Sequence, residues 1–292
     1  MFWISFRLFL KFFFIWGFYF SFFFVVNLIT SNIIVWWSIF LLITIVFIII
    51  NKSFGSFNGI LNYFIVQEFL GFCFILLNFP LLQFFILLFK IGIAPFHFWI
   101  FSVLNNMSGF PFVWFLTFQK LPFIPVVFHY FFDSFFFVLF FGIVVCYFQI
   151  FFFKSYKLIL AISATESFSW LCIMLFFSFF SGFVFVLIYL IFFFFVLDYS
   201  NVKDLDFYNW EVVFVFMNFP FTITFFVKVF SILDSIHYSS FLVLFILFIM
   251  FLSILSIGFW LVNMSSKFYF NNFLNFNFVY FFCYPLIFCC LI

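Results

Sequence analysis

Lys90 and Lys120 stand inside two apolar stretches, LLQFFILLFKIGIAPFHFWI and GFPFVWFLTFQKLPFIPVVF, in a chain where only 6% of residues are charged. An ammonium ion in hydrocarbon is costly, so lysines within a membrane face a protein interior or a water path and are functional candidates by default. The chemistry open to them is binding and releasing a proton. A third lysine, Lys228, lies in NFPFTITFFVKVF. Glu68 follows Gln67 in NYFIVQEFLGFCFILL, and an ion pair or a shared proton between Glu68 and Lys90 would relieve the cost of both. Loss of water disfavours a charged lysine and a neighbouring carboxylate favours it. A lysine between these influences loads and releases a proton when the carboxylate moves or is neutralised.

Glu166, in ILAISATESFSWLCI, is the second carboxylate of this kind, with Ser163, Thr165, Ser167 and Ser169 offering hydroxyls for a water chain. The alternative for Glu166 is a protonated acid bonded to a neighbouring helix. His97 follows Lys90 closely and either extends the relay or stays neutral on a freed carbonyl. His129 and His237, near Asp133 and Asp234, read as interfacial anchors or exit-side buffers. No phosphate loop, dinucleotide fingerprint or iron-sulfur spacing occurs, so redox chemistry and cofactors are not expected on this chain. Neither a metal site nor nucleic-acid binding is expected.

The elements that position these groups must be membrane helices. Of the 292 residues 70% are hydrophobic and the mean hydropathy is +1.45, whereas a soluble domain has about 25% charged residues and about half apolar ones. Phenylalanine contributes 75 residues, many where leucine would serve, which fits nucleotide bias in an AT-rich genome such as a mitochondrial one. Cys73, Cys146, Cys172, Cys283, Cys289 and Cys290 show no CxxC spacing, so no disulfide framework is indicated. The opening MFWISFRLFLKFFFIWGFYFSFFF reads as a permanent first helix rather than a cleaved signal, without a transit peptide.

At roughly 20 apolar residues per span, polar and Pro/Gly punctuation divides the chain into about eleven helices. They fall near 4–27, 33–50, 58–78, 81–104, 110–131, 135–153, 158–180, 182–197, 211–234, 239–264 and 270–291. This division puts Arg7, Lys11, Lys52, Lys154, Lys157, Lys203 and Lys267 on one membrane face and no Lys or Arg in a loop opposite. The positive face would then hold the amino terminus, on the matrix side of a mitochondrial membrane. The connection DYSNVKDLDFYNWE reads as a solvated linker. With the turn NNMSGF as a hairpin bend, Lys90 and Lys120 lie about 25 and 20 Å from it at about 1.5 Å per residue, at similar depths. Pro95 follows Lys90, Pro122 and Pro125 follow Lys120, and Pro220, Thr222 and Thr224 precede Lys228. Broken helices beside charges are the architecture of ion sites in transporters; the alternative is a simple kink with a lysine snorkelling to an interface.

KIGIAPFHFW, followed by FLTFQKLPFIP, resembles the paired signature of chain 2 of mitochondrial NADH:ubiquinone oxidoreductase, respiratory complex I. Weaker likenesses cover most of the chain: NIIVWWSIFLLITIVFIIINK resembles the family's second helix, LILAISATESFSW its SSxxHxGW segment, and NFPFTITFFVKVF its PPLxGFxPKW segment. The Phe-rich, shortened form is similar to the nematode branch. The resemblance implies an all-α antiporter-like proton-channel subunit with two inverted five-helix repeats, here 1–131 and 132–264, and one additional helix, 265–292. It implies that Lys90 is the first-half channel lysine, Lys120 the central one and Lys228 the second-half one, lining a hydrated axis. It also implies partners in the membrane arm, namely neighbouring antiporter-like subunits, small accessory proteins and lipids, with NADH, FMN, iron-sulfur clusters and ubiquinone held by other subunits. Phe40 stands where the family usually has a glutamate, and Ser167 where it has a histidine. Glu68 and Glu166 are the expected substitutes. A free-standing proton or sodium antiporter and a non-conducting scaffold are the alternative readings.

Overall fold

The computed structural model describes residues 17–52, 57–107, 110–130, 135–153, 155–177 and 223–236, with isolated helical positions within 182–186 and 245–259. The described elements are helical and contain no strand. In a bilayer this is the expected solution, since a helix satisfies its backbone hydrogen bonds internally. Three helices among the described residues are long and apolar enough to cross a membrane: Ile33–Asn51, Phe57–Leu76 and Lys157–Phe177. The chain divides into two compact units, Met1–Gly92 with Phe96–Asp133, and Ile93–Pro95 with Ser134–Ile292.

The first unit contains α1 (Gly17–Ile29), α2 (Ile33–Asn51), α3 (Phe57–Leu76), α4 (Pro80–Ile91), α5 (Phe98–Leu104), α6 (Phe110–Leu116) and α7 (Ile124–His129). Asn32 caps α2 by accepting from the Ile34 amide at 3.0 Å, a role suited to a short polar side chain. Helix α3 buries a single stripe, Gly59, Tyr63, Gln67, Gly71 and Phe74, whose spacing keeps them on one face. Its remaining surface exposes Phe57, Phe64, Ile65, Phe69 and Phe72, which suits lipid.

The segments near 33–50, 58–78, 135–153 and 158–180 coincide with α2, α3, α8 (Phe135–Phe152) and α9 (Tyr156–Phe177). Those near 81–104 and 110–131 are not continuous helices. Helix α4 starts with a proline in its first turn and stops at Gly92, whose φ of 69° is left-handed and whose amide closes on the Leu88 carbonyl. The Ala94–Pro95 peptide that follows is cis. Between α6 and α7 the chain tightens into a 3₁₀ segment, Phe118–Phe123, that includes Lys120 and Pro122. Proline cannot donate to an α-helical ladder, and the 3₁₀ form accommodates Pro122 without a full break.

The second unit places α9 against α8 and against α10 (Ile223–Ile236). Within its apolar window α9 is 94% buried, whereas the window of α3 is 28% buried. Helix α9 is therefore a core helix, and its polar residues face protein. The segment near 270–291, the acidic connection 198–211, His237 and the charges Arg7, Lys11, Lys154, Lys203 and Lys267 lie outside the described residues, as do most of 182–197 and 239–264.

A side chain at Gly92 would be strained twice, by the positive φ and by overlap of its Cβ with Ile100. Gly92→Ala is expected to cost more than the roughly 1–2 kcal/mol of a left-handed L-residue. Gly17→Ala, where nothing stands within 4 Å of the added carbon, should be near neutral. Thermal unfolding of the two variants in detergent checks the difference.

Candidate functional site

Lys90 occupies the last turn of α4 and is buried. Gln67, on the α3 stripe, donates from Nε2 to the Lys90 carbonyl at 2.9 Å, which satisfies an acceptor freed where α4 ends. The ammonium lies over the ring of Phe40, 4.9 Å from its centroid. Gly71 leaves room beside it: a Cβ built there would stand 3.5 Å from Lys90 Nζ and 3.5 Å from the indole nitrogen of Trp37. Trp37, Phe40 and Thr44 share one face of α2, at spacings of three and four residues.

Lys90 and Glu68 do not form the expected contact ion pair. The Glu68 carboxylate accepts from Thr44 Oγ1 at 3.1 Å, and its charge acts on Lys90 from a longer distance. The reason is placement: Glu68 lies beside the buried α3 stripe rather than on it and is half-buried. The aromatic face of Phe40 takes the near position instead, a cation–π contact.

Lys120 is carried by the 3₁₀ segment and is also buried. Lys90 and Lys120 line one small cavity together with Gln67, Trp99, Gln119 and Phe123, with room for about one water. Gln119 donates to the Tyr63 hydroxyl at 2.5 Å. The Oε1 atoms of Gln67 and Gln119 are buried and accept no protein hydrogen bond. Buried acceptors of this kind are ordinarily satisfied by water. His97 does not line this cavity. It precedes α5, where it stacks on Phe98 at 5.2 Å and meets Phe101 edge-on at 5.2 Å.

The second unit holds a separate group. Lys228 of α10 forms an ion pair with Oε1 of Glu166 on α9, both side chains at most 2% exposed. Snorkelling is thereby replaced by pairing for Lys228. The same oxygen accepts from the Tyr147 hydroxyl of α8 at 2.5 Å and from the Trp170 indole at 3.1 Å. The α9 hydroxyls each donate to their own helix, Ser163 to Leu160, Thr165 to Ile162, Ser167 to Ser163 and Ser169 to Thr165. A hydroxyl on a buried helix commonly bonds back to a carbonyl three or four residues earlier.

No family model matches the chain. It is 49% identical over 252 residues to NADH-ubiquinone oxidoreductase chain 2 of Caenorhabditis elegans, a match covering 84% of this chain and 88% of the relative. It is also 49% identical over 246 residues to NADH-ubiquinone oxidoreductase chain 2 of Ascaris suum, over 84% of this chain and 82% of the relative. The chain belongs to the NADH-ubiquinone oxidoreductase chain 2 family. It is a subunit of respiratory complex I and a membrane protein.

In this chain 2 member, the sequence-predicted residues fall into two groups, Lys90, Lys120 and Glu68 in one unit, and Lys228 and Glu166 in the other. Sequence reasoning missed Phe40 as a seat for an ammonium, Gln119 beside Lys120 with Tyr63 bonded to it, and Tyr147 beside Glu166. Trp170 beside Glu166 was missed as well, although its position four residues after Glu166 on the same helix face was a signal that could have found it. Tyr147 carried no such signal, being one of 12 tyrosines on a different helix.

Removing one partner of the buried Tyr63–Gln119 bond leaves an unsatisfied donor, at a cost of roughly 1–3 kcal/mol. Tyr63→Phe should therefore lower thermal stability, and Tyr63→Phe with Gln119→Leu should recover part of the loss. A double-mutant cycle on the detergent-solubilised protein measures the coupling.

Proposed function

We propose that this chain conducts protons across the mitochondrial inner membrane as an antiporter-like subunit of the complex I membrane arm. Electron transfer from NADH to ubiquinone, carried out by other subunits with their own cofactors, supplies the energy. The observation that carries the reading is the shared cavity of Lys90 and Lys120. Two ammonium-bearing side chains meet there beside two amide oxygens that take no protein partner. A water between Gln67 and Gln119 would connect the lysines, and a proton passes between two groups joined by one water when their geometry is held.

In this reading Lys90 is the first-half carrier, with Glu68 replacing the glutamate that the family has at the position of Phe40. Lys120 is the central carrier, and Lys228 with Glu166 the second-half pair. His97 is a more remote member of the path, acting through the break after α4. Two inverted five-helix repeats and one further helix build the axis, with the amino terminus on the matrix side and the carboxyl terminus on the intermembrane side. Neighbouring antiporter-like subunits, small accessory proteins and lipids cover the apolar faces, among them the exposed flank of α3.

Lys120→Ala tests the reading in the assembled complex, followed by native electrophoresis with an in-gel NADH oxidation assay and by proton pumping in vesicles. The band should remain in the large active assembly, and proton transfer coupled to NADH oxidation should fall by about tenfold or more, because a positioned proton carrier contributes roughly 100-fold or more. Pumping at the native ratio would assign the chain to a scaffold. Migration of the native chain alone would favour a free antiporter.

A further inference from the structure

Tyr147 is the side chain in the second unit to which nothing so far gives a role. It reaches from α8 to Glu166 on α9, where its hydroxyl donates to Oε1 at 2.5 Å. Trp170 Nε1 donates to the same oxygen at 3.1 Å and lies 3.4 Å from the Tyr147 hydroxyl. Lys228 pairs with that oxygen too, and its ammonium lies 5.8 Å from the centre of the Tyr147 ring. Three donors thus converge on one carboxylate oxygen from three helices. All four side chains are buried, Trp170 completely and Tyr147 to within 2%.

An indole N–H can only donate, so Oε1 must act as an acceptor towards Trp170 whatever else happens. A charged acceptor bonds its donors about twice as strongly as a neutral one. Convergence on a single oxygen therefore favours the anion: a proton on Oε1 would have to displace a donor, and a proton on Oε2 would weaken all three bonds by removing the acceptor's charge. Among the described residues Cys146 of α8 is a further titratable side chain near Lys228, and its Sγ lies 3.8 Å from Thr165 Oγ1.

We infer that Tyr147 is a positioning residue for proton transfer at Lys228: with Trp170 it holds Glu166 as a fixed anion, so that the proton which comes and goes is the one on Lys228. The inference rests on the proposed proton path. In the transfer step the ammonium of Lys228 gives a proton to a water of the path. The nitrogen keeps the electron pair of the broken N–H bond, and the water becomes hydronium. Glu166 stays charged throughout and draws the next proton onto Lys228. Without the phenol and indole donors, the departing proton could settle on Glu166, leaving a neutral pair that has no electrostatic pull on the next proton.

Isotope-edited infrared difference spectroscopy on the intact complex tests this, with Tyr147→Phe as the variant because it removes only the hydroxyl. The signal of interest is a carboxylic acid C=O band that shifts with carbon-13 glutamate and vanishes in Glu166→Gln. It should be absent from the native complex across the pH range in which the complex is intact, and present at the acid end in Tyr147→Phe, with a lower ratio of protons moved per electron. If Tyr147→Phe fails to assemble, Trp170→Phe removes the other neutral donor and should raise the same band. A band in the native complex, or none in an assembled variant, overturns the inference. Lys228→Ala pumping at the native ratio would instead overturn the proton-path reading, and the infrared band would still decide whether Tyr147 fixes the charge of Glu166.

Discussion

Charge that leaves water must be compensated inside the protein, and in this chain that constraint organises both units. Lys90, Lys120, Lys228 and Glu166 are all buried, where an uncompensated ion would cost several kcal/mol. The two units meet the requirement differently. Around Lys90 the near partner is the π face of Phe40 and the carboxylate is held back by Thr44. Around Lys228 the carboxylate is in direct contact and carries two further donors.

The same constraint explains the backbone. The breaks beside Lys90 and Lys120 free carbonyl oxygens that lipid cannot satisfy, and each is met by a side-chain donor from elsewhere in the first unit. Gln67 serves the Lys90 carbonyl, Trp99 serves the Phe89 carbonyl at 2.8 Å, and Asn27 of α1 serves the Pro122 carbonyl at 2.7 Å. These bonds tie α3, α5 and α1 to the two irregular segments. Asn27 and Gln67, two of the polar side chains buried among the apolar helices, are thus accounted for by the breaks.

Much of this was legible in the sequence, because charges are few. A lysine in an apolar run with proline nearby names itself, and Lys90, Lys120 and Lys228 did so, as did Glu68 and Glu166. The helical class followed from composition. What the sequence did not carry was direction around the helix axis. Glu68 and Gln67 are neighbours in the chain, yet Gln67 lies on the buried α3 stripe and Glu68 at its margin, so the polar contact to α4 went to the amide and not to the carboxylate. With apolar residues on all sides of α3 there was no periodicity from which to read that stripe. Phe40 was hidden for a related reason. Among 75 phenylalanines, one that seats an ammonium looks like one that faces lipid.

An ion pair is not the cheapest way to join three helices. Replacing a buried pair by apolar side chains of similar volume is often neutral or stabilising, and this chain places phenylalanine freely wherever an apolar group suffices. Retaining Lys228, Glu166, Tyr147 and Trp170 in one buried cluster is therefore poorly explained by stability alone. The donors also exceed what neutralising a carboxylate requires, because Lys228 already balances its charge. Tyr147 and Trp170 add direction: they fix which oxygen of Glu166 faces the ammonium. A pair built only to hold helices together would need neither, whereas a pair in which one partner changes state needs the other to stay where it is.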